Sequence, residues 1–262
     1  MRGVAVAILL TALTFLTCGS RAAEKTGAGG YIAAPVLPGI GAHDPRIRVD
    51  PEAVPWRAVG KLQAASINLH TWCAATLVGL STVVTAAHCL FNRLTQQTFQ
   101  PGSLHFLIGY NGGGYSGHAI GIGVKIGDGY DPSRPKETIG SDWALVSLDK
   151  TLGSEDRVLP VASDLPQDGS NVMLGGYQQD HPLLLLADTH CQIDGRVVDA
   201  SGRLLLRHNC AGTHGVSGAP LLIDSGGRWR VAAIDVAGAT SAAYGLAVVL
   251  DKGINRFLNH GQ

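Results

Sequence analysis

Charge is in short supply in this chain. Only 15% of its 262 residues are charged, and 20 basic and 20 acidic side chains cancel to a formal net charge of zero. No Lys/Arg block disturbs that balance, which argues against nucleic acid or another polyanion as a partner. Cys-x-x-Cys pairs are missing, which weakens a metal-binding reading of the cysteines; no metal and no cofactor are expected. A long hydrophobic run is missing too. The apolar stretch at residues 4–16 stops short of the about 20 residues a membrane-spanning helix needs. Helical spacing is confined to the tail, residues 251–259, where Ile254, Phe257 and Leu258 share one face. Internal repeats are not evident.

What the chain has in quantity is glycine, 35 residues, within a composition that is 45% hydrophobic. This suits a turn-rich domain with a sizeable core. Residues 1–22 read as an export signal, with Arg2 as the positive start, residues 4–16 as the apolar segment and Ser20-Arg21-Ala22 before a cut. Thr17-Cys18-Gly19 faintly resembles a lipoprotein box, but Leu16 and Thr17 stand where smaller residues are expected. The expectation is therefore a secreted or periplasmic protein without a lipid anchor or a stable membrane span. Once Cys18 leaves with the signal, Cys73, Cys89, Cys191 and Cys210 remain. An even number in an exported chain reads as disulfides, and four cysteines allow three connectivities. Pairing Cys73 with Cys89 and Cys191 with Cys210 is favoured because each closes a local loop.

Residues 23–53 carry GAGG, APVLPGIGAHDP and VDPEAVP without apolar periodicity, and read as a linker, pro-segment or extended arm. Beyond them the chain breaks into short β-like runs at 58–62, 75–78, 83–86, 104–108, 120–126 and 143–148. A second set follows at 172–174, 183–187, 203–206, 221–223, 230–234 and 246–250. Gly, Pro, Asn and Asp clusters separate the runs, which predicts all-β barrels or sandwiches. The polar gap DKTLGSED, residues 149–156, divides this region into halves of roughly 100 residues, each a normal size for a small barrel.

Three stretches carry candidate chemistry. VVTAAHCL places His88 after an apolar run, SDWALVSLD places Asp142 before one, and GTHGVSGAPL places Ser217 in a glycine-rich turn. Each alone has an ordinary structural explanation: a buried histidine, a strand-start carboxylate, a turn serine. Together they follow the chain order His, Asp, Ser of a chymotrypsin-type triad. An α/β-hydrolase would show the order Ser, Asp, His and a Gly-x-Ser-x-Gly turn, and position 219 here is Ala. Such a triad needs an imidazole to take the serine proton and a carboxylate to fix the imidazole tautomer.

TAAHC (85–89), DWALVSL (142–148) and GVSGAP (215–220) resemble the His, Asp and Ser motifs of trypsin-like serine peptidases. The bacterial trypsin-like and glutamyl-endopeptidase-like branch is the nearest in character, and PWRAVGKLQ (55–63) resembles its first strand. The resemblance implies two six-stranded antiparallel β-barrels, about 54–150 and 157–250, with a short C-terminal helix at 251–259 and the active site between the barrels. It makes Ser217 the nucleophile, His88 the general base and Asp142 the group that orients it. The N–H groups of Gly215 and Ser217 form the oxyanion hole. It also implies a monomeric endopeptidase acting on protein or peptide chains, with an inactive homologue used as a binding module, or an esterase, as alternatives.

The chain departs from the animal enzymes at Val216. They carry an aspartate there that pairs with a freed N-terminus. The primary pocket is expected around Ala211, His214, Asp235 and Gly238. Ala211 is not the acid of a trypsin pocket, and Asp235 stands where glutamate-specific relatives carry a histidine. A carboxylate there favours Arg or Lys at the cleaved position. A structural aspartate bonded to the backbone is the equal alternative.

Overall fold

A computed structural model describes residues 37–66, 69–250 and Ile254. The expected export signal, the start of the linker and most of the expected C-terminal helix lie outside the described residues. Ile254 itself is helical and fully buried.

The described chain folds as two closed six-stranded antiparallel barrels. A two-residue strand, β1 (Ile47–Arg48), comes first. The first barrel follows as β2 (Val59–Ser66), β3 (Leu69–Gly79), β4 (Thr82–Thr85), β5 (Leu104–Ile108), β6 (Gly117–Ile126) and β7 (Ala144–Leu148), joined in the order β2-β3-β4-β7-β6-β5. The second comprises β8 (Asn171–Tyr177), β9 (Leu185–Val198), β10 (Leu204–His208), β11 (Pro220–Asp224), β12 (Trp229–Gly238) and β13 (Gly245–Val249). Its order is β9-β10-β13-β12-β11-β8, closed by pairing of β8 with β9. Closure removes the free edges that antiparallel sheets otherwise expose.

The strands form where apolar residues alternate between faces. In the first barrel Leu62, Leu77, Leu104, Phe106 and Ile108 are at most 2% exposed and fill the interior. Each such side chain contributes about 1.5–3 kcal/mol through burial. Leu174, Ile193, Leu206 and Leu221 do the same in the second barrel. Between the barrels, fully buried Tyr177 donates its hydroxyl hydrogen to the Tyr110 carbonyl at 2.9 Å.

The expected arm at 23–53 is, over its described part, a packed one. Ile40 and Arg46 are buried, and β1 pairs with β9 through Ile47↔Ala187 and Arg48↔Leu186. Strand β9 is much longer than the run at 183–187 suggests. Beyond residue 187 it alternates buried Cys191, Ile193 and Gly195 with exposed polar residues.

Candidate active site

His88 sits on the tight turn Ala87–Leu90 that ends β4. Ala86 and Ala87 are fully buried, packing the turn onto the barrel. Cys89 is disulfide-bonded to Cys73 on β3, which fixes the turn against the next strand. Asp142 follows the turn Ile139–Ser141 and precedes β7, with only 4% of its surface exposed. Its two oxygens accept from the same residue: Oδ1 from the His88 backbone N–H at 2.8 Å, Oδ2 from Nδ1 at 2.7 Å. Nδ1 therefore carries the proton, and Nε2 is left as the acceptor. Burial alone depresses the His88 pKa. The Asp142 charge and hydrogen bond, helped by the charge of Asp235, outweigh burial and hold it above its ordinary value.

Ser217 lies on the turn before β11. Gly215 and Gly218 flank it with φ of +94° and +79°, a region closed to most residues with a Cβ. A Cβ on Gly218 would also strike Thr85 and the Ala74 carbonyl. The N–H groups around the serine divide into two sets. Val216 N–H donates to Thr213 O at 3.0 Å, Gly218 N–H to Asp235 O at 2.7 Å and Ala219 N–H to Val216 O at 2.8 Å. Among the described residues, those of Gly215 and Ser217 donate to no protein acceptor.

Two cavities share His88, His214 and Ser217. One, of about 600 Å³, is lined by Trp72, the Cys73–Cys89 disulfide, Phe91 and Tyr130. The other, of about 370 Å³, is lined by Gly212, Val216, Asp235, Ala237 and Gly238, with Pro38 of the arm at its side. Of the residues expected in the primary pocket, His214, Asp235 and Gly238 reach this second cavity. Ala211 does not: it is fully buried, and its N–H donates to Asp188 Oδ2 at 2.9 Å. A register shift between Asp235 and Ala237 re-aims β12 beside the cavity. His208, on β10, faces Asp235 with Nε2 3.1 Å from Oδ1. Its Nδ1 accepts the Cys210 N–H at 3.3 Å, so Nε2 is the donor. The side-chain partner of Asp235 is thus a buried histidine rather than the backbone. Asp235 Oδ2 is bonded to no protein group among the described residues.

The second disulfide, Cys191–Cys210, ties β9 to the segment entering the cavity wall. Both disulfides are those favoured from the sequence. Cys73, His88 and Cys89 cluster within 4.8 Å, but with both sulfurs in a disulfide they offer no thiolate to a metal. Sequence reasoning missed Arg46, Gln178, Asp188 and His208, all buried and polar. None belongs to a recognisable motif.

A two-barrel chain with a histidine–carboxylate pair and a glycine-flanked serine in its central cleft has the form of a chymotrypsin-like serine peptidase. The family profile described as trypsin matches residues 47–252, and the chain belongs to that family. The cercarial protease of Schistosoma mansoni is 32% identical over 124 residues, covering 42% of this chain and 45% of that protein. The match thus spans less than half the length of that relative. Among solved structures, a Glu endopeptidase complexed with MPD has a TM-score of 0.68 at 15% identity, covering 84% of this chain and 98% of that one. A thermostable serine protease, AL20, from an extremophilic microorganism has 0.61 at 20% identity, covering 78% and 96%. These two likenesses are of fold.

Proposed function

We propose that this protein is an exported serine endopeptidase that hydrolyses peptide bonds through an acyl-enzyme on Ser217. Trypsin-family membership supports a proteolytic function. The observation that carries the finer reading is the pair of unbonded N–H groups, Gly215 and Ser217, beside a serine that shares its cleft with His88. In this reading Nε2 of His88 takes the Ser217 proton as the hydroxyl attacks the carbonyl. The imidazolium so formed is stabilised by Asp142, and the two N–H groups hold the developing oxyanion. His88 then returns the proton to the leaving amine, and water repeats the cycle on the ester. Among the described residues the Ser217 hydroxyl makes no hydrogen bond; such contacts commonly tighten only when substrate binds.

The second cavity serves as the primary pocket, and Asp235 gives it a preference for Arg or Lys. His208 engages one carboxylate oxygen and leaves the other for the substrate cation. Disulfides in both barrels fit an oxidising compartment, and no helix among the described residues is long and apolar enough to cross a membrane. The test is hydrolysis of a mixed peptide library by purified protein. Cleavage that vanishes in Ser217→Ala supports the reading, and cleavage that persists overturns it.

A further inference from the structure

Val216 carries no charge, yet the turn it belongs to leaves two N–H groups, those of Gly215 and Ser217, without a protein acceptor among the described residues. Something else must fix that turn. The Ala74 N–H donates to Ser217 O at 2.9 Å and the Gly218 N–H to Asp235 O, which hold its far end. Its near end, Thr213 and His214, is bonded by residues 178 and 179. Gln178 Oε1 accepts the Thr213 N–H at 2.8 Å, the Gln179 N–H donates to His214 O at 2.7 Å, and Gln179 Nε2 donates to Thr213 Oγ1 at 3.1 Å. Thr213 O in turn accepts the Val216 N–H, so Gly215 is held between two anchored residues. On the other side of Gln178 stands Arg46, whose side chain is 1% exposed. Its Nη1 donates to the same Oε1 at 2.6 Å and to Asp180 Oδ1 at 3.2 Å. Nη2 reaches Asp180 Oδ2 at 2.6 Å and Asp44 Oδ2 at 2.7 Å, and Nε reaches Asp44 Oδ1 at 2.9 Å.

We propose that Arg46 is a positioning residue for the oxyanion turn, acting through Gln178 and Thr213 across 132 residues of sequence. Three observations make this more than packing. The Gln178 oxygen receives two donors at once, while its Nε2 is buried without a partner among the described residues. An orphaned amide is costly, and an apolar side chain would pack there without that cost. Turning the amide over would set its nitrogen against both donors, so the neighbours dictate its orientation. Asp44 and Asp180 hold the guanidinium in a fixed plane from two sides, the geometry in which Arg orients an acceptor best. Burial raises the Asp180 carboxyl, but Arg46 more than offsets it and keeps the group below its usual range. The arm reinforces the same wall directly: Gly39 O accepts the Gly212 N–H at 2.9 Å.

This inference rests on the peptidase reading of Ser217, and the experiment separates the two. Wild type, Arg46→Met, Arg46→Lys and Gln178→Met are compared for kcat, KM and inhibition by a peptide aldehyde, which presents an oxyanion. Melting temperature checks folding. A displaced oxyanion donor costs about 10–100-fold here, less than the loss of a donor outright. Arg46→Met and Gln178→Met are expected to lower kcat by that factor with KM within about threefold, and to weaken the aldehyde by the same factor. Arg46→Lys recovers part of the loss. The acid limb of the pH profile stays in place, because His88 and Asp142 are untouched. Should both methionine variants fail to fold, Asp180→Asn, which loosens one side of the guanidinium, is expected to show a smaller loss with the same kcat pattern. Folded variants with wild-type kcat, or a loss confined to KM, would overturn the proposal while leaving the peptidase reading intact. A wild type that neither cleaves peptides nor is inhibited by the aldehyde removes the peptidase reading itself.

Discussion

The first barrel with its connecting turns buries Lys61, Thr76, Thr85, Thr138, Ser141 and Asp142 as polar side chains. In the proposed mechanism it contributes a side chain, His88, aimed by one carboxylate through two bonds. The second barrel and its approaches bury Gln178, Asp188, His208, Thr213 and Asp235, and Arg46 lies against them. Apart from Ser217, the proposed contribution there is largely backbone, the N–H groups beside the serine and the wall of the cavity. The difference has a physical reason. One hydrogen bond can aim a ring, which has few rotamers. A peptide N–H is aimed only when the residues on both sides of it are fixed, and that takes several buried polar partners.

The largest effect expected falls on the proposed reacting and aiming side chains, Ser217 from the second barrel and His88 and Asp142 from the first. Ser217→Ala and His88→Ala should each lower kcat by about 10⁶, with Asp142→Asn milder at about 10⁴. Steady-state assays on a chromogenic peptide measure all three. Asp142→Asn performing as well as wild type would show that His88 is aimed by something else.

The disulfides sharpen the contrast. Replacing Cys73 and Cys89, or Cys191 and Cys210, by serine should cost about 3 kcal/mol each in urea unfolding, since the loops are of similar length. Their kinetic effects should differ. Loss of the first loosens the turn carrying His88 and should lower kcat, whereas loss of the second loosens the pocket wall and should raise KM.

Smaller still is the selectivity expected of Asp235. Asp235→Asn should lower kcat/KM for Arg-containing peptides by about 10–100-fold, the range for a charge-assisted hydrogen bond, and leave Ala-containing ones nearly unchanged. Equal scaling of both would remove Asp235 from substrate recognition.

The pH profile gives the most modest change. In the proposed mechanism His88 must be neutral to act as base, and its pKa is raised above the ordinary 6.5. Activity should therefore climb with pH through a midpoint above that value, and the midpoint should fall in Asp142→Asn. The stability contributed by the raised pKa has the opposite course: it is full below the unfolded value and lost as pH rises through the folded one.

Most strands, the two disulfides and the stretches that bring His88, Asp142 and Ser217 to one cleft were legible because each leaves a local mark. Val83 and Val84 announce a strand, and the cysteines close short loops. The full length of β9 was hidden because its outer half alternates polar with buried residues, so only its apolar beginning stood out. Arg46 was hidden more deeply. Nothing near it in sequence distinguishes it from a surface arginine, and its partners Gln178 and Asp180 become neighbours only when β1 docks on β9. His208 and Asp235 meet across the second barrel for the same reason. Local pattern reveals elements and motifs, while buried polar networks depend on the closed fold.

The central claim is that Ser217 is the activated nucleophile of this cleft. Incubating the folded protein with a fluorophosphonate and mapping the adduct by peptide mass tests it directly. The account predicts one adduct, on Ser217, abolished by prior unfolding and strongly slowed in His88→Ala. An unlabelled protein, or labelling on a serine outside the cleft, would contradict it.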